Sequence, residues 1–342
     1  MGWLTWFVLL NRSEITIEFK PVPTRRDFLI AAAAAGTTAL LGPATDAFAS
    51  ASQPTTPVNF KVPPGACDCH VHIFGDPQRF PFTPTRTYTP EAATVDELRN
   101  MHRALHIDRV VVIQASVYGT DNSCTLDAIK QLGPRARGIA VIDEKTSSAE
   151  LDRMHRGGIR GVRINLGTAG QDDPAFARER LQKALRQIGG RPWHVQMFVS
   201  LPVVAAIEKQ LTAATVPIVF DHFGGAKAVL GVQQPGMASL LRLLQTEKAY
   251  VKISGVYRAS SAPDYQDAAP LAKVFVAANP ERVLWGSDWP HPDTASARET
   301  TEVSPLLPID DGRMLNLLAT WLPNVARRNA ILVDNPAKLY RF

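Results

Sequence analysis

The sequence predicts an α/β fold of the (β/α)8 barrel class, with one strand and one helix in each of eight units. Eight short apolar segments alternate with amphipathic helical patterns between residue 65 and the end of the 342-residue chain. Several segments are almost continuously apolar, which is typical of parallel strands buried on both faces. Eight such units in one chain favour a closed barrel, and a doubly wound open sheet is the alternative.

The predicted strands are rich in Val and Ile. In chain order they are CDCHVHIF, RVVVIQAS, RGIAVID, RGVRINL, HVQMFVS, VPIVFDHF, AYVKISG and RVLWGSD. Between them lie helical stretches such as VDELRNMHRALH, PAFARERLQKALRQI and MASLLRLLQTE. Strands that alternate with helices in this way indicate repeated β-α-β units around a parallel sheet.

Three regions are predicted along the chain: an export signal region at 1–49, a linker at 50–64 and the barrel at 65–342. The signal is indicated by Arg25 and Arg26, the uncharged stretch 28–45 and a small-x-small site at 47–49. This pattern is typical of a twin-arginine signal. The stretch is short and weakly apolar, so no stable membrane anchor is expected. We therefore expect the twin-arginine export machinery as a partner, and a periplasmic or secreted location.

The composition bears on partners and on covalent cross-links. The net charge is +5 and Lys and Arg form no long run, so nucleic acid is not an expected partner. Cys67, Cys69 and Cys124 form no disulfide framework and are expected to be small buried side chains. The chain is therefore expected to hold together through an ordinary apolar core.

Polar side chains gather where the predicted strands end. His70 and His72 end the first strand, His222 ends the sixth and Asp288 ends the eighth. Side chains two apart on a strand point the same way, so Asp68 is expected on the side of the two histidines. In a barrel the chemistry lies at the carboxyl ends of the strands. We therefore predict a catalytic group of His70, His72, His222 and Asp288.

The other histidines of the predicted barrel fall outside this group. His194 begins the fifth strand, at the opposite end of the barrel, and is predicted to be structural. His102, His106 and His155 lie in helical patterns and are predicted to be surface residues. His291 lies in the WPHP turn; it either holds Asp288, contacts substrate or braces the turn.

Long segments of the chain resemble one family. DCHVHIFG, FPFTPTRTYTP, QASVYGTDNSCTLDAI, DHFGGA and VLWGSDWPHP are similar to segments of the amidohydrolase superfamily (amidohydrolase-related family 2). The branch is that of 2-pyrone-4,6-dicarboxylate lactonase and D-galactarolactone isomerase, and the likeness runs from about residue 65 to residue 342. The resemblance implies a (β/α)8 hydrolase that opens a sugar-acid or pyrone-type lactone, and hence a small-molecule lactone as substrate.

The resemblance also bears on metal content. Many relatives bind zinc through the strand-one histidines, a strand-four Lys or Glu, histidines on strands five and six, and the strand-eight Asp. Here strand four ends RINL and strand five ends MFVS, without those ligands. A binuclear centre is not expected, and we expect catalysis without metal or other cofactor. A single zinc ion on His70, His72 and Asp288 is the alternative, since three N/O ligands plus water form an open site.

Opening a lactone without metal needs an activated water and a polarised carbonyl. Asp288 is the expected general base, because a carboxylate beside Trp289 and the histidines can reach a suitable pKa. The three imidazoles are expected to surround the carbonyl oxygen and stabilise the developing oxyanion. Asp68 is expected either to orient one imidazole or to bind a backbone amide.

Arginine binds carboxylates with paired hydrogen bonds, so arginines near the site indicate an anionic substrate. By resemblance the substrate-binding residues are Tyr88, Ser116, Arg163 and Arg258, with His291 as a further candidate. Two arginines of the dicarboxylate lactonase are missing, where this chain has GTAGQ after strand four and Gly225 after DHFG. Phe198 stands where a Tyr is expected. A monocarboxylate or a neutral sugar lactone is therefore expected.

Three other functions are open at this point. The first is a metal-dependent decarboxylase, hydratase or hydrolase of the same superfamily. The second is lactone isomerisation, in which a substrate hydroxyl replaces water as the nucleophile. The third is a secreted binding protein on an inherited barrel. Metal content, the structure of the product and the effect of Asp288→Asn on turnover separate these functions.

Overall fold

The computed structural model describes residues 51–294 and 299–342. The export signal region predicted at 1–49 lies outside the described residues, so it stays a prediction. Within the part of the chain that is described, no helix has both the length and the apolar character needed to cross a membrane.

Eight parallel strands form the predicted barrel, and two short strands pair beside it. The strands are β1 Cys67–Val71, β2 Thr89–Pro90, β3 Arg109–Ile113, β4 Ala136–Ala140, β5 Ile159–Asn165, β6 His194–Phe198, β7 Ile218–Phe220, β8 Ala249–Ser254, β9 Val283–Gly286 and β10 Val303–Ser304. The large sheet has the order β1-β3-β4-β5-β6-β7-β8-β9, and β2 pairs with β10 in parallel. All eight predicted strands are therefore present in the predicted order.

Hydrogen bonds close the barrel between β1 and the segment that follows β9. The amide of Asp288 donates to the carbonyl of His70 at 2.9 Å, and the amide of His72 donates to the carbonyl of Trp289 at 2.8 Å. Ser287 adds a third bond at 3.0 Å, from its amide to Oδ1 of Asp68. The sheet is a barrel rather than the alternative open sheet. Its closure brings His70 and His72 of the first strand segment next to Asp288.

Helices cover the outside of the barrel. The α-helices are Val95–Leu105, Ser123–Leu132, Ser148–Arg156, Pro174–Ile188, Leu201–Ala206, Glu208–Thr212, Met237–Gln245, Val256–Ala259, Ala269–Ala278, Asp311–Trp321, Val325–Asn329 and Asn335–Tyr340. Their starts follow from local sequence, as at Thr94, which forms a capping box with Glu97. Asp173 caps the helix Pro174–Ile188, whose first residue is the proline that this position favours.

Residues 51–64, predicted to be a linker, lie against the barrel. Oδ2 of Asp310 accepts hydrogen bonds from the hydroxyls of Thr55 at 2.9 Å and Thr56 at 2.5 Å. Oδ1 of Asn316 accepts one from the amide of Asn59 at 2.8 Å. The sequence showed only the polar composition of a linker. Its contacts could not be read from the sequence, because the partners lie more than 250 residues further along the chain. This part of the chain is therefore held in place.

Candidate active site

The four residues predicted to be catalytic meet at the carboxyl end of the barrel. Nε2 of His70, His72 and His222 lies 3.6, 3.8 and 3.9 Å from Oδ1 of Asp288, respectively. All four side chains are buried, with at most 7% exposed. The closure of the sheet thus gathers three imidazoles and one carboxylate from distant parts of the chain.

The two carboxylate oxygens of Asp288 have different surroundings. Oδ2 accepts hydrogen bonds from the hydroxyl of Tyr257 and from Nε of Arg258, each at 2.6 Å. Oδ1 is buried and has no hydrogen-bond partner among the described residues. Burial raises the pKa of Asp288, but Arg258 and the histidines outweigh it and hold the pKa well below the usual value. Asp288 is therefore anionic at neutral pH, with one oxygen free to accept a proton.

Local backbone conformation places these side chains. Asp288 and His222 have φ angles of +70° and +46°, in the left-handed region that non-glycine residues rarely adopt. Gly255 packs against both, and a Cβ there would lie 2.8 Å from Oδ2 of Asp288. A side chain at this position would push the carboxylate aside. The geometry of the catalytic group therefore depends on glycine at 255.

Lys252 is a fully buried cation in contact with the catalytic group, and the sequence analysis did not select it. Its Nζ donates to Oε1 of Gln196 at 2.7 Å and lies 3.3 Å from Nδ1 of His70 in hydrogen-bonding geometry. An ammonium group can only donate, so in a hydrogen bond with Lys252 Nδ1 of His70 accepts and Nε2 carries the hydrogen. His70 thus directs an N–H group toward Oδ1 of Asp288, 3.6 Å away.

Asp221 balances the charge of Lys252. Its Oδ1 lies 3.3 Å from Nζ of Lys252 and 3.2 Å from Nδ1 of His70. Its Oδ2 accepts hydrogen bonds from Nε of Arg163 at 3.2 Å and from Nε2 of Gln196 at 3.1 Å. Burial raises the pKa of Asp221, but Lys252, His70 and Arg163 hold it well below the usual value. Nδ1 of His70 therefore lies between a donor, Nζ of Lys252, and an acceptor, Oδ1 of Asp221, and these two neighbours favour opposite tautomers of the ring.

His72 and His222 differ in the state of their Nε2 atoms. Nδ1 of His72 lies 2.9 Å from the carbonyl of Ile113, which can only accept, so Nδ1 carries the hydrogen. Nδ1 of His222 lies 3.1 Å from the hydroxyl of Ser254, which can donate. Burial lowers the pKa of His72 to about 3 and that of His222 to about 4, so both rings are neutral at pH 7. The donor role expected for His72 is therefore wrong for the neutral ring, whose Nε2 is an acceptor.

Four of the five predicted substrate-binding residues lie beside this group. Ser116 and Arg163 line a cavity of about 370 Å³. Burial raises the pKa of the Tyr88 phenol, and Ser116, Arg258 and Arg163 are near enough to lower it. Arg258 donates to Asp288 and also lies 3.4 Å from the hydroxyl of Thr294, through Nη1.

His291, the fifth candidate, is turned toward a different acid. Its Nε2 lies 3.1 Å from both carboxylate oxygens of Asp311, and its ring packs edge-on against Tyr257 at 5.5 Å. The side chain is fully buried. Its amide donates to the carbonyl of Asp288 at 3.1 Å. Of the three expected roles, the structure therefore supports bracing of the turn, because the imidazole contacts Asp311 instead of the Asp288 carboxylate.

Asp68 faces the helix Val95–Leu105, whereas His70 faces Lys252. The pairing of β1 with β3 shifts register between residues 68 and 71, which breaks the simple alternation expected from the sequence. Oδ1 of Asp68 accepts from the amides of His70 and Ser287 at 3.1 and 3.0 Å. Of its two expected roles, the structure thus shows the backbone one.

His102 was predicted at the surface, and that prediction is wrong. The residue is 7% exposed, and its Nε2 lies 3.4 Å from Oδ2 of Asp68. The helical pattern did not reveal which face packs on β1. His194 is buried beside the ring of Tyr340 at 5.4 Å, far from solvent, in agreement with a structural role.

The donor atoms fit a metal ion only in part. His70, His72 and Asp288 offer ligand atoms within 4.8 Å of one another, as do His70, Asp221 and His222. A zinc ion held by the first set would lower the pKa of a bound water and polarise a carbonyl. His72 has the tautomer of a zinc ligand, since its Nδ1–H binds a backbone carbonyl. The neighbours of His70 are mixed, because its Nδ1 lies 3.3 Å from a donor, Nζ of Lys252, and 3.2 Å from an acceptor, Oδ1 of Asp221.

A family model described as amidohydrolase matches residues 67–342. The chain is 33% identical over 288 residues to 4-sulfomuconolactone hydrolase of Hydrogenophaga intermedia, across 83% of this chain and 91% of the relative. It is 33% identical over 305 residues to 2-pyrone-4,6-dicarboxylate hydrolase of Comamonas testosteroni, across 86% of this chain and 95% of the relative.

A solved structure has the same fold over the whole barrel. It is that of a probable 2-pyrone-4,6-dicarboxylic acid hydrolase from Acinetobacter baumannii, with a TM-score of 0.69 and 28% sequence identity. The match covers 81% of this chain and all of the other chain.

Proposed function

We propose that this chain, which belongs to the amidohydrolase family, hydrolyses a lactone by attack of water on the ring carbonyl. The observation that carries the proposal is the convergence of three Nε2 atoms on the free oxygen of Asp288, within 3.9 Å. The named activities of the relatives from Hydrogenophaga intermedia and Comamonas testosteroni support a lactone as the substrate.

Two acceptors hold the attacking water. Oδ1 of Asp288 and Nε2 of His72 lie 3.8 Å apart, and each has a lone pair directed into the site. A water that donates one hydrogen to each of these two atoms keeps its oxygen lone pairs available for attack on the lactone carbonyl carbon. As the new C–O bond forms, Asp288 takes the proton as general base. Its low pKa keeps the carboxylate in the acceptor state across the neutral range.

Two donors hold the carbonyl oxygen. Nε2–H of His70 and, with Ser254 donating to its other nitrogen, Nε2–H of His222 stabilise the negative charge that develops on that oxygen. A preorganised donor of this kind contributes about 3 kcal/mol to transition-state stabilisation. When the tetrahedral intermediate collapses, the ring C–O bond breaks and Asp288 returns its proton to the leaving oxygen. The product is the open hydroxy acid, or its keto form where the leaving oxygen is an enol.

We also propose that this reaction proceeds without a metal or other cofactor. The support is the position of Lys252, which favours an N–H group rather than a lone pair on Nε2 of His70. The export signal is likewise proposed from its sequence pattern alone, and with it a periplasmic or secreted location.

A lactone panel tests the reaction. Purified protein is incubated with galactaro-, glucaro-, fucono-, sulfomucono- and pyrone-type lactones in ¹⁸O-water, and products are identified by NMR and mass spectrometry. We expect an open hydroxy or keto acid that carries one ¹⁸O in its new carboxylate. A rearranged ring without ¹⁸O would show lactone isomerisation instead. Absence of turnover on every ring would contradict the hydrolase.

A further inference from the structure

A cavity of about 370 Å³ is lined by Ser116 and Arg163, two of the candidate substrate-binding residues, and extends toward the helix Pro174–Ile188. Loops after β3 and β5 form one side and the first turns of that helix form the other. Its volume is within the range of small-ligand pockets. The apolar part of its wall consists of Val141, Ile164, Leu166, Ala169 and Phe176. The cavity is therefore large enough for a substituent of a bound lactone.

Two arginines, Arg163 and Arg180, line this cavity. Arg163 uses Nε to bind Asp221 at 3.2 Å, and its two terminal nitrogens make no hydrogen bond within the described residues. Its charge is close enough to lower the pKa of His72, after burial the largest cause of that shift. The guanidinium of Arg163 therefore connects the cavity with the catalytic group.

Arg180 is partly buried and makes no hydrogen bond or ion pair within residues 51–294 and 299–342. Glu144 is the nearby acid, and its charge is already paired with Lys183 at 2.5 Å. Arg180 is near enough to lower the pKa of Glu144, after Lys183. A guanidinium without a hydrogen-bond partner beside an apolar wall favours an anion with an apolar body. The helix Pro174–Ile188 thus supplies a cation to a cavity whose own loop, Gly167–Gln171, contains none.

We propose that Arg180 is a specificity-determining residue, which together with Arg163 binds one acidic group of the lactone, a carboxylate or a sulfonate. This inference rests on the proposed lactone hydrolysis and names the class of its substrate. Arg163, on β5, and Arg180, on the helix Pro174–Ile188, donate hydrogen bonds to the acidic group, while the apolar wall contacts the carbon skeleton of the lactone. The preferred substrate is then a lactone with an acidic side group, rather than a neutral sugar lactone.

The test compares matched substrates in matched variants. A lactone acid and its methyl ester are assayed with the wild type, Arg180→Gln and Arg186→Gln. Arg186 is an exposed arginine of the same helix and lines no cavity described here. We expect the wild type to prefer the acid over the ester in kcat/KM by about tenfold or more, because charge-assisted hydrogen bonds are lost with the ester. Arg180→Gln should reduce this preference about tenfold, mainly through KM for the acid, and Arg186→Gln should keep it.

Other outcomes have distinct meanings. Equal turnover of acid and ester by the wild type would overturn the anion subsite while leaving lactone hydrolysis in place. A preference that Arg180→Gln preserves would overturn the role of Arg180. No turnover of either substrate would contradict the proposed function itself. In that case the affinity of each variant for the open-chain acid, measured by calorimetric titration, tests the anion subsite separately. An affinity about tenfold weaker in Arg180→Gln than in Arg186→Gln would support the anion subsite. Equal affinity in the two variants, or no binding, would overturn it.

Discussion

Nζ of Lys252 lies 3.3 Å from Nδ1 of His70, at the centre of the barrel. The ammonium group donates, so the imidazole accepts there and presents N–H at Nε2, toward the free oxygen of Asp288. In the proposed mechanism this buried cation on β8 favours His70 as a hydrogen-bond donor to substrate over His70 as a lone-pair ligand.

Lys252→Met removes the cation while keeping an unbranched side chain. Without it, His70 loses its fixed tautomer and keeps the nearby Asp221 carboxylate, which raises the pKa of the ring. We expect kcat to fall about tenfold or more, and an acidic limb to appear at higher pH than in the wild type. The measurement is kcat as a function of pH, with thermal unfolding in parallel.

Lys248→Met, at an exposed position just before β8, is the matched control and should change neither quantity. An unchanged pH profile in Lys252→Met would remove the proposed positioning role, even if the variant were less stable.

Asp288→Asn keeps the shape of the side chain but removes the base. We expect kcat to fall about a hundredfold or more, since a positioned general base contributes about 10²–10⁴. Near-UV circular dichroism should show the native fold, and the exposed Asp96→Asn should retain full turnover. Activity of Asp288→Asn within a factor of two of the wild type would exclude Asp288 as the base.

Metal analysis tests the absence of a cofactor in the mechanism. We expect purified protein to contain far less than one zinc per chain, and kcat to be unchanged after dialysis against a chelator. The physical reason is the contact of Lys252 with Nδ1 of His70, which favours the tautomer with N–H at Nε2, whereas a zinc ligand needs a lone pair there. One tightly bound ion whose removal abolishes activity, and whose return restores it, would contradict this expectation.

The free energy of unfolding should fall as the pH is lowered from about 6.5 to about 4. His72 and His222 have pKa values of about 3 and about 4 in the folded chain, against 6.5 ordinarily. His70 and His194 shift in the same direction. The unfolded chain therefore binds more protons in this window, which costs about 1.4 kcal/mol per pH unit for each fully neutral histidine. Asp311, whose pKa is raised by burial, opposes the effect near the lower end.

Urea denaturation at pH 7, 5.5 and 4.5 measures this dependence. His222→Asn should give a shallower slope than the wild type, because one of the shifted groups is gone. A stability that rises on acidification would show that the imidazoles are protonated in the folded chain.

The export signal predicts a cellular phenotype. Replacing Arg25 and Arg26 together by Lys should leave the precursor in the cytoplasm, since the twin-arginine pathway reads the arginine pair. The conservative Arg12→Lys serves as the control and should not alter export. Fractionation with a C-terminal tag measures the distribution, and export of the double variant at the wild-type level would argue for another route.

The sequence by itself predicted the barrel and which of its residues would meet in the candidate site. Alternating apolar runs and helical patterns favour a parallel sheet with both faces covered, and eight such units favour a closed barrel over the alternative open sheet. Polar residues at the ends of such strands must then meet at one rim, as His70, His222 and Asp288 do. That argument needs only the period of the pattern and the fact that parallel strands share a direction.

Only the tertiary structure decided the chemical state of each group. Lys252 appears in the sequence as one charge within AYVKISG, and nothing local shows that His70, Gln196 and Asp221 surround it. A charge inside an apolar strand was nevertheless a signal, since a lysine is rarely buried without partners.

The irregularity in β1 and the burial of His102 were likewise set by packing between distant segments. Sequence period fixes which residues a strand can present, whereas tautomers and pKa values depend on neighbours contributed by other strands. The donor at His70 and the acceptor at His72 therefore follow from Lys252 and from the carbonyl of Ile113, which no pattern along the chain connects to them.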